Sequence, residues 1–385
     1  MHIDFAASEQ STVGIEWELA LVDADTLELT PLAQPLLEQV GGGDNAPIRQ
    51  EFLKNMIELV SGAHHTVESA VGDLGETLRV ADRLARQLGA RLLGSGTHPF
   101  SLSHLQQPFD NPRYNVVVDR NQWWSRQLAI CGTHIHVGID HRDKALPITN
   151  GLARFFPYLL SLSASSPFWE SQDTGYASQR TMLFQQLPTN GLPYPMETWA
   201  EFEQYAEELT EVGMIAMAKE IRWDVRPSPR FGTVENRTLD SVPTLAEIGC
   251  LTALTQCLTE WMSRELDAGR RVVTLPPWLV KENKWRAARY GLEAEIITPD
   301  PAHRVRPLRQ GFEVWLETLT PIARQLHCEP ELRFTETILE GGASYQRQRD
   351  VAAANGGDLR TVVRALLAET QAGEPLPHAG STGGG

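Results

Sequence analysis

Three segments of the chain share one pattern, in which apolar residues alternate with small or ionisable ones. They are VGIEWELALV at residues 13–22, CGTHIHVGI at 131–139 and GTVENRTLD at 232–240. Successive side chains of a β-strand point to opposite faces of its sheet. The pattern therefore predicts strands of one sheet, with an apolar face buried in the core and a second face that carries paired polar groups.

The polar groups come in pairs spaced two residues apart. They are Glu16 and Glu18 beside Gly14 and Ala20, His134 and His136 between Gly132 and Gly138, and Glu235 and Arg237 beside Thr233. Carboxylates with some imidazole suit a hard divalent cation such as Mg²⁺ or Mn²⁺. Several carboxylates held together are costly unless a cation neutralises them. The pairs thus indicate a metal site above the polar face.

Each pair also has a purely structural interpretation. Glu16 and Glu18 are compatible with a solvated strand face, and Glu235 with Arg237 forms a plausible cross-strand salt bridge. His134 and His136 are equally typical of a zinc pair or of two hydrogen-bonded strand residues. The coexistence of all three pairs in one chain favours the metal site.

The segment EFLKNMIEL, residues 51–59, adds two more acids. On a helix, Glu51, Asn55 and Glu58 would share one side. On a continuous strand, Glu51 and Glu58 would point to opposite faces. A helix or a turn is therefore needed to aim both acids at one site, and the sequence leaves the choice between them open.

Composition and charge limit the class of protein. The 385 residues carry 42% hydrophobic and 22% charged side chains, which is ordinary for a globular protein. The N-terminal MHIDFAASEQ lacks the apolar region of a signal peptide, and the apolar run at 155–169 is too short to cross a bilayer. A net charge of −15 disfavours nucleic acid and anionic membranes as partners. These features predict a soluble, cytoplasmic protein.

The remaining pattern predicts one domain at residues 1–368 and a disordered, glycine-rich tail at 369–385. Apolar residues recur at helical spacing from Val67 to Leu88, and further helices are expected near 245–266 and 311–326. A strand is expected at 91–96. The four cysteines include no CxxC pair and are expected to be core residues, with Cys131 on the apolar face of its strand.

Taken together, these segments resemble the carboxylate–amine ligases of the second glutamate–cysteine ligase group. The resemblance spans roughly residues 10–350 and rests on six segments in the family's order: GIEWELALVD, EFLKNMIEL, CGTHIHVGI, SASSPFWE with DTGYASQR, RPSPRFGTVENRTLD and ENKWRAARYG. It implies an α+β fold of the glutamine synthetase type, in which a curved antiparallel sheet forms an open funnel and helices pack outside it. The funnel would hold ATP and divalent cations.

The resemblance also implies roles for individual residues. Metal ligands would be Glu16, Glu18, Glu51, Glu58, His134 and Glu235. Arg237 would face the transferring γ-phosphate, with Glu235 beside it as a catalytic residue that bridges metals. Nucleotide contacts would come from His136, Lys284 and Arg286, and Arg180 would bind a substrate carboxylate, as bidentate pairing of arginine with carboxylate is strong and directional.

The implied activity is amide formation through an acyl phosphate, with Mg²⁺ or Mn²⁺ as cofactor and ATP as co-substrate. Glutamate is the expected acid and cysteine the amine that the family suggests, while the physiological amine and a homodimeric state stay open. Two other functions fit the same residues: a metal-dependent hydrolase that uses His134 and His136, and a nucleotide or amino-acid sensor without catalysis. The preponderance of carboxylates over histidines favours the ligase.

Overall fold

The computed structural model describes residues 1–41, 43, 45–300 and 302–377. The strands are β1 (Val13–Asp23), β2 (Ile48–Gln50), β3 (Met56–Val60), β4 (Ala90–Leu93), β5 (Gly132–Gly138), β6 (Phe168–Trp169), β7 (Gln172–Asp173), β8 (Asn190–Gly191), β9 (Arg222–Trp223), β10 (Val225–Ser228), β11 (Thr233–Asp240), β12 (Glu295–Ile297) and β13 (Val305–Pro307).

Helices account for most of the remaining chain. They are α1 (Ala33–Val40), α2 (Val67–Gln87), α3 (Pro112–Asn121), α4 (Arg142–Arg154), α5 (Phe156–Ser163), α6 (Gln179–Phe184), α7 (Trp199–Glu211), α8 (Leu245–Asp267), α9 (Pro277–Tyr290), α10 (Leu308–Gln325), α11 (Glu329–Gly341), α12 (Ser344–Ala354) and α13 (Leu359–Ala372). The three helices expected from periodicity are α2, α8 and α10, each within three residues of its predicted ends. None of the described helices has the length and apolar character that a membrane crossing requires.

A central antiparallel sheet organises the described residues. Its strands follow the order β10-β11-β5-β1-β3-β2, and β4 pairs with the far end of β1. The three segments predicted from alternation are the neighbouring strands β1, β5 and β11, and the sheet is open between β10 and β2. The predicted α+β class with an antiparallel sheet is confirmed.

One face of this sheet forms the main core. The residues of β1 that were expected on the apolar face are at most 1% exposed: Val13, Ile15, Trp17, Leu19 and Leu21. Helices α2 and α8 pack against strands β1 and β5. The indole Nε1 of Trp17 donates a hydrogen bond to Ser241 Oγ at 3.0 Å, so the one polar atom of this large buried side chain is satisfied.

The segment at residues 51–59 is a turn followed by a strand, so its helical interpretation is wrong. Strands β2 and β3 form an antiparallel hairpin, and residues 51–55 connect them. Glu58 lies within β3, whereas Glu51 follows the last residue of β2. The turn resolves the conflict of faces, because the alternation of one strand does not extend through a connection.

Two further boundaries differ from the expectation. Cys131 precedes β5 and is buried with Ala20 and Met56 rather than on the apolar face, because the alternation begins only at Gly132. The strand expected at 91–96 is β4, which runs from Ala90 to Leu93.

Residues 369–372, which were assigned to the tail, are helical. Helix α13 continues to Ala372, and Glu369 accepts a hydrogen bond from Arg347 Nε at 2.9 Å, which anchors this last turn to α12. Arg347 also bonds Glu247 of α8 at 2.8 Å, so the C-terminal helices are tied to the core by a buried ion-pair network. Residues 378–385 of the predicted tail lie outside the described residues.

Candidate active site

The polar face of the sheet lines a cavity of about 1050 Å³. Four predicted metal-binding acids line it, namely Glu16, Glu18, Glu51 and Glu58, and so do His134, Arg180 and Arg237. This volume lies at the upper end of the range for small-molecule sites. The cavity therefore has room for more than one substrate.

A first group of candidate metal ligands lies across strands β1, β5 and β11. It consists of Glu16, His136 and Glu235. His136 Nε2 is 3.6 Å from a Glu16 oxygen and 3.9 Å from a Glu235 oxygen. The other ring nitrogen, Nδ1, lies 2.8 Å from Thr233 Oγ1, and this hydrogen bond fixes the orientation of the imidazole.

A second group shares Glu16 with the first and adds His134 and Glu58. Glu16 is directly opposite His134 in the register of β1 and β5. Burial and the charge of Arg237 lower the pKa of His134 to about 4. At neutral pH the ring is therefore uncharged, which is the form that binds metals.

A third group shares Glu58 with the second and adds Glu18 and Glu51. Glu18 and Glu58 are cross-strand partners in β1 and β3. Glu18 also accepts a hydrogen bond from the backbone N–H of Gly132 at 2.5 Å. The three groups thus form a continuous chain along the cavity floor, linked through Glu16 and Glu58.

The acids of this floor repel one another. Burial, followed by the charge of Glu51, raises the pKa of Glu18 to about 8. Burial and the charges of Glu16, Glu51 and Glu18 raise the pKa of Glu58 well above its usual range. Burial also opposes ionisation of Glu16, but hydrogen bonds with His134 and His136 lower its pKa below the usual value. Bound cations would relieve this repulsion.

The two histidines supply an independent test of the fit to metal ions. Nε2 of His134 and Nε2 of His136 are buried and have no hydrogen-bond partner among the described residues. A buried polar atom without a partner costs free energy unless a ligand satisfies it. Each of these atoms belongs to a ring that faces two carboxylates at 3 to 4 Å. Carboxylate oxygens, with one imidazole in each of the first two groups, fit divalent cations of the Mg²⁺ or Mn²⁺ type.

Glu235 lies between two arginines. Arg226 Nε donates to one carboxylate oxygen at 2.7 Å, and Arg237 Nη1 donates to the other. Burial opposes ionisation of Glu235, but the charges of Arg226 and Arg237 hold its pKa well below the usual range. Glu235 is therefore a fixed anion, and it holds the Arg237 guanidinium at the edge of the cavity.

Arg180 lies at the opposite end of the cavity floor from Arg226. Its side chain is 3% exposed, and its Nε has no hydrogen-bond partner among the described residues. The guanidinium packs so closely on Gly132 that a Cβ at this position would collide with it. Gly132 therefore makes room for a buried cation that faces the cavity.

Comparison with known proteins identifies the family of this chain. The model of glutamate–cysteine ligase family 2 matches residues 12–365. A candidate glutamate–cysteine ligase 2 from Leifsonia xyli is 49% identical over 375 residues, which cover 96% of this chain and 99% of the relative. A similar protein from an Arthrobacter strain is 49% identical and covers 97% of this chain and 99% of its own length.

The chain belongs to glutamate–cysteine ligase family 2. It is accordingly an ATP-dependent carboxylate–amine ligase. Among solved structures, the glutamate–cysteine ligase of Francisella tularensis in complex with AMP superposes with a TM-score of 0.70 at 13% identity, covering 95% of this chain and 90% of that one. A bifunctional glutathione synthetase from Pasteurella multocida gives 0.67 at 17% identity and covers 94% of this chain and 52% of its own. These likenesses confirm the glutamine synthetase-like fold.

Most residues that the family resemblance singled out meet at this one site. Residues Glu16, Glu18, Glu51, Glu58, His134, His136, Arg180, Glu235 and Arg237 all line the cavity or belong to the three acidic groups. Lys284 and Arg286 do not. Lys284 is buried in an ion pair with Asp224 at 2.6 Å, and Arg286 pairs with Glu282 at 2.8 Å, so these two cations of α9 form ion pairs within the scaffold.

Sequence reasoning missed the basic and aromatic residues at the His136 end. Arg226, Arg230 and Phe231 line the cavity, and the ring of Phe231 packs edge-on against His136 at 5.6 Å. The register pairs Arg226 with Glu235 across β10 and β11. A signal was present in RPSPRFGTVE, because a two-residue alternation that places Glu235 on the polar face does the same for a directly paired Arg226.

Proposed function

We propose that this family member joins the γ-carboxylate of glutamate to an amine through an acyl phosphate formed with ATP. The single observation that supports this most is the chain of three acidic groups ending beside Arg237 in one cavity. A carboxylate is a poor electrophile, and phosphorylation gives it a leaving group. Phosphoryl transfer asks a protein mainly for positioning and for neutralisation of charge.

The three acidic groups are the proposed binding sites for divalent cations. Glu16, His136 and Glu235 would hold one cation, and the groups built on Glu58 would hold others. When bound, such cations supply neutralisation of the phosphate charge. Burial and neighbouring carboxylates raise the pKa values of Glu18 and Glu58. The positive charge of bound cations would stabilise the ionised forms of both side chains.

The side chains around the floor have separate roles in the proposed reaction. Arg237, held by Glu235, faces the γ-phosphoryl group and stabilises the charge that spreads over its oxygens. Arg226, Arg230 and Phe231 at the His136 end support binding of the nucleotide there. Arg180 supports pairing with a substrate carboxylate, because a buried guanidinium recognises carboxylate with a planar fork.

The reaction proceeds in two balanced steps. A carboxylate oxygen attacks the γ-phosphorus of ATP, the bond to the β–γ bridging oxygen breaks, and ADP leaves. The amine nitrogen then attacks the acyl carbon, inorganic phosphate leaves, and the nitrogen loses a proton. The product set is the amide, ADP and phosphate.

Interception of the acyl phosphate tests this function without knowledge of the amine. Hydroxylamine with ATP, Mg²⁺ and glutamate should yield the γ-hydroxamate, with ADP and phosphate in equal amounts. AMP and pyrophosphate would instead show an acyl adenylate and overturn the mechanism. If glutamate gives no hydroxamate but another carboxylic acid does, the ligase chemistry stands and the acid substrate is wrong.

A further inference from the structure

We infer that the Gly132 end of the cavity binds the amine substrate, and that this amine is an α-amino acid with an apolar side chain larger than that of cysteine. The inference rests on the proposed ligase function and specifies its second substrate. It follows from an apolar wall, from a buried cation beside that wall, and from the polarity of the cavity along β5.

The apolar wall consists of Leu128, Ile130, Phe184 and Leu187, all of which line the cavity. Ile130 and Phe184 belong to one small cluster with Leu183, and Leu128 packs against that cluster. Because Leu183 supports the wall from outside the cavity, the lining side chains are held in place. The four wall side chains carry no hydrogen-bonding group. Asn190 lines the cavity beside them, where its Nδ2 donates to the carbonyl oxygen of Phe184 at 2.9 Å and its Oδ1 has no partner among the described residues.

Arg180 adjoins this wall. Its guanidinium carbon lies 5.5 Å from the centre of the Phe184 ring, one helical turn along α6. A carboxylate paired with Arg180 would therefore have the apolar surface within a few ångströms of it. That separation matches the distance between the α-carboxylate and the side chain of one amino acid.

The two ends of the cavity carry different polar side chains. At one end of β5, His136 contacts Phe231 directly and lies beside Glu235, which pairs with Arg226. At the other end, Gly132 contacts Arg180 and Glu18. In phosphoryl transfer the attacking and leaving oxygens are roughly in line. A nucleotide at the His136 end places the attacking carboxylate, and then the amine, toward the Gly132 end.

Glutamate is a poor occupant of the apolar wall. With its α-carboxylate on Arg180, its side-chain carboxylate would lose hydration against wall side chains that return no hydrogen bond, which is costly. An apolar side chain gains binding free energy there, since each additional methylene in a hydrophobic pocket changes the ratio of kcat/KM between two substrates by about 10-fold or more. The wall therefore favours leucine, methionine or phenylalanine as acceptor over alanine, cysteine, glutamine or lysine.

The first test is an acceptor panel with the unaltered full-length protein. ADP release and the γ-glutamyl product, the latter by mass spectrometry, are measured with these seven amino acids at saturating ATP, Mg²⁺ and glutamate. We expect at least one of the three larger apolar acceptors to exceed alanine and glutamine about 10-fold in kcat/KM. Equal or higher values for the polar acceptors or for cysteine would overturn the inference.

The second test compares Leu128→Gln with Leu105→Gln. Leu105 is 63% exposed and does not line the cavity, so it controls for the chemical change alone. For Leu128→Gln, the rate with the preferred amino acid divided by the hydroxamate rate should fall about 10-fold, because hydroxylamine has no side chain to place on the wall. The ratio should not change in Leu105→Gln.

These experiments separate the two proposals. Absence of hydroxamate and ADP with every acid tested would refute the ligase mechanism itself. Normal hydroxamate formation together with an unchanged ratio in Leu128→Gln would refute only the apolar amine site. Should Leu128→Gln fail to fold, Phe184→Tyr adds one hydroxyl to the same wall at nearly constant shape, and the same fall in the ratio is expected.

Discussion

Glu16 and His134 are directly opposite each other in the antiparallel pair of β1 and β5, and His134 Nδ1 lies 3.2 Å from Glu16 Oε2. This cross-strand pair is the point at which two of the acidic groups meet, because Glu16 belongs to both. A one-residue shift of either strand would turn the Glu16 or His134 side chain of that strand toward the core and separate the pair. The metal chemistry of the site therefore depends on the pairing of β1 with β5.

Removal of one acidic charge from the floor should abolish turnover and keep the fold. Glu18→Gln keeps the shape of the side chain but loses a ligand charge in the third group. Loss of residues that merely orient metal ligands costs about 10- to 100-fold, so we expect hydroxamate formation to fall at least about 100-fold. Near-normal ADP release by this variant at saturating Mg²⁺ would contradict the assignment.

The same substitution should change the pH dependence of stability in metal-free protein. Burial and Glu51 raise the pKa of Glu18 to about 8 in the folded state, above its unfolded value near 4.5. A group with a raised pKa favours the folded state at low pH, and this contribution is lost as pH rises through about 8. With chelator present, the melting temperature of Glu18→Gln should therefore exceed that of the unaltered protein more at pH 9 than at pH 6. An equal difference at both pH values would argue against the repulsion.

The two faces of β5 should respond in opposite ways to truncation. His134→Ala removes a candidate ligand with an unsatisfied Nε2, so activity should fall much more than thermal stability. Val137→Ala leaves a cavity in the core, where Val137 is fully buried, and should cost about 2 kcal/mol of unfolding free energy with most activity retained. Hydroxamate rates and urea unfolding of both variants provide the measurement. If the two variants behave alike, the assignment of faces is wrong.

The shape of the Arg237 side chain should matter as well as its charge. Arg237→Lys keeps one positive charge but loses the planar fork that pairs with Glu235 and faces the cavity. We expect the hydroxamate rate at saturating ATP to fall about 100-fold, as for loss of one donor to a transition-state oxyanion, with ATP affinity little changed. Isothermal titration with ATP and hydroxamate kinetics separate the two effects. A variant that loses only ATP affinity would refute this role.

His98, which does not line the candidate active site, should make the folding stability of the protein sensitive to acid. Its Nε2 is 2.8 Å from the carbonyl oxygen of Leu27, and its Nδ1 accepts from the backbone N–H of Ser101 at 2.9 Å, so the buried ring is neutral. Burial lowers its pKa to about 4 from 6.5. The unfolded chain therefore takes up this proton first, and stability falls as pH drops from 6.5 to 4, by about 3 kcal/mol from this group.

Variants of two histidines can isolate that effect. His98→Gln should be less stable at pH 7 but should lose less stability between pH 6.5 and 4 than the unaltered protein. His104→Gln, at an exposed position on the same stretch of chain, should show the unaltered pH profile. Identical slopes for all three proteins in urea unfolding would rule out His98 as the group responsible.

The sequence alone determined the elements whose signal is local. Alternation identified β1, β5 and β11 and assigned Glu16, His134 and Glu235 to their polar face, because side-chain direction in a strand depends only on position along it. Helical periodicity likewise located α2 and α8. The family resemblance then grouped these segments around one site.

The tertiary structure decided what depends on contacts between distant segments. The β2–β3 hairpin turns Glu51 and Glu58 toward the same floor, and the register of β10 with β11 places Arg226 on Glu235. Lys284 shows the reverse case, since its pairing with Asp224, 60 residues away, uses a cation that local sequence left free for a nucleotide. Such partners are selected by the packing of whole elements and by the cost of a buried unpaired charge, and no periodicity along the chain encodes that choice.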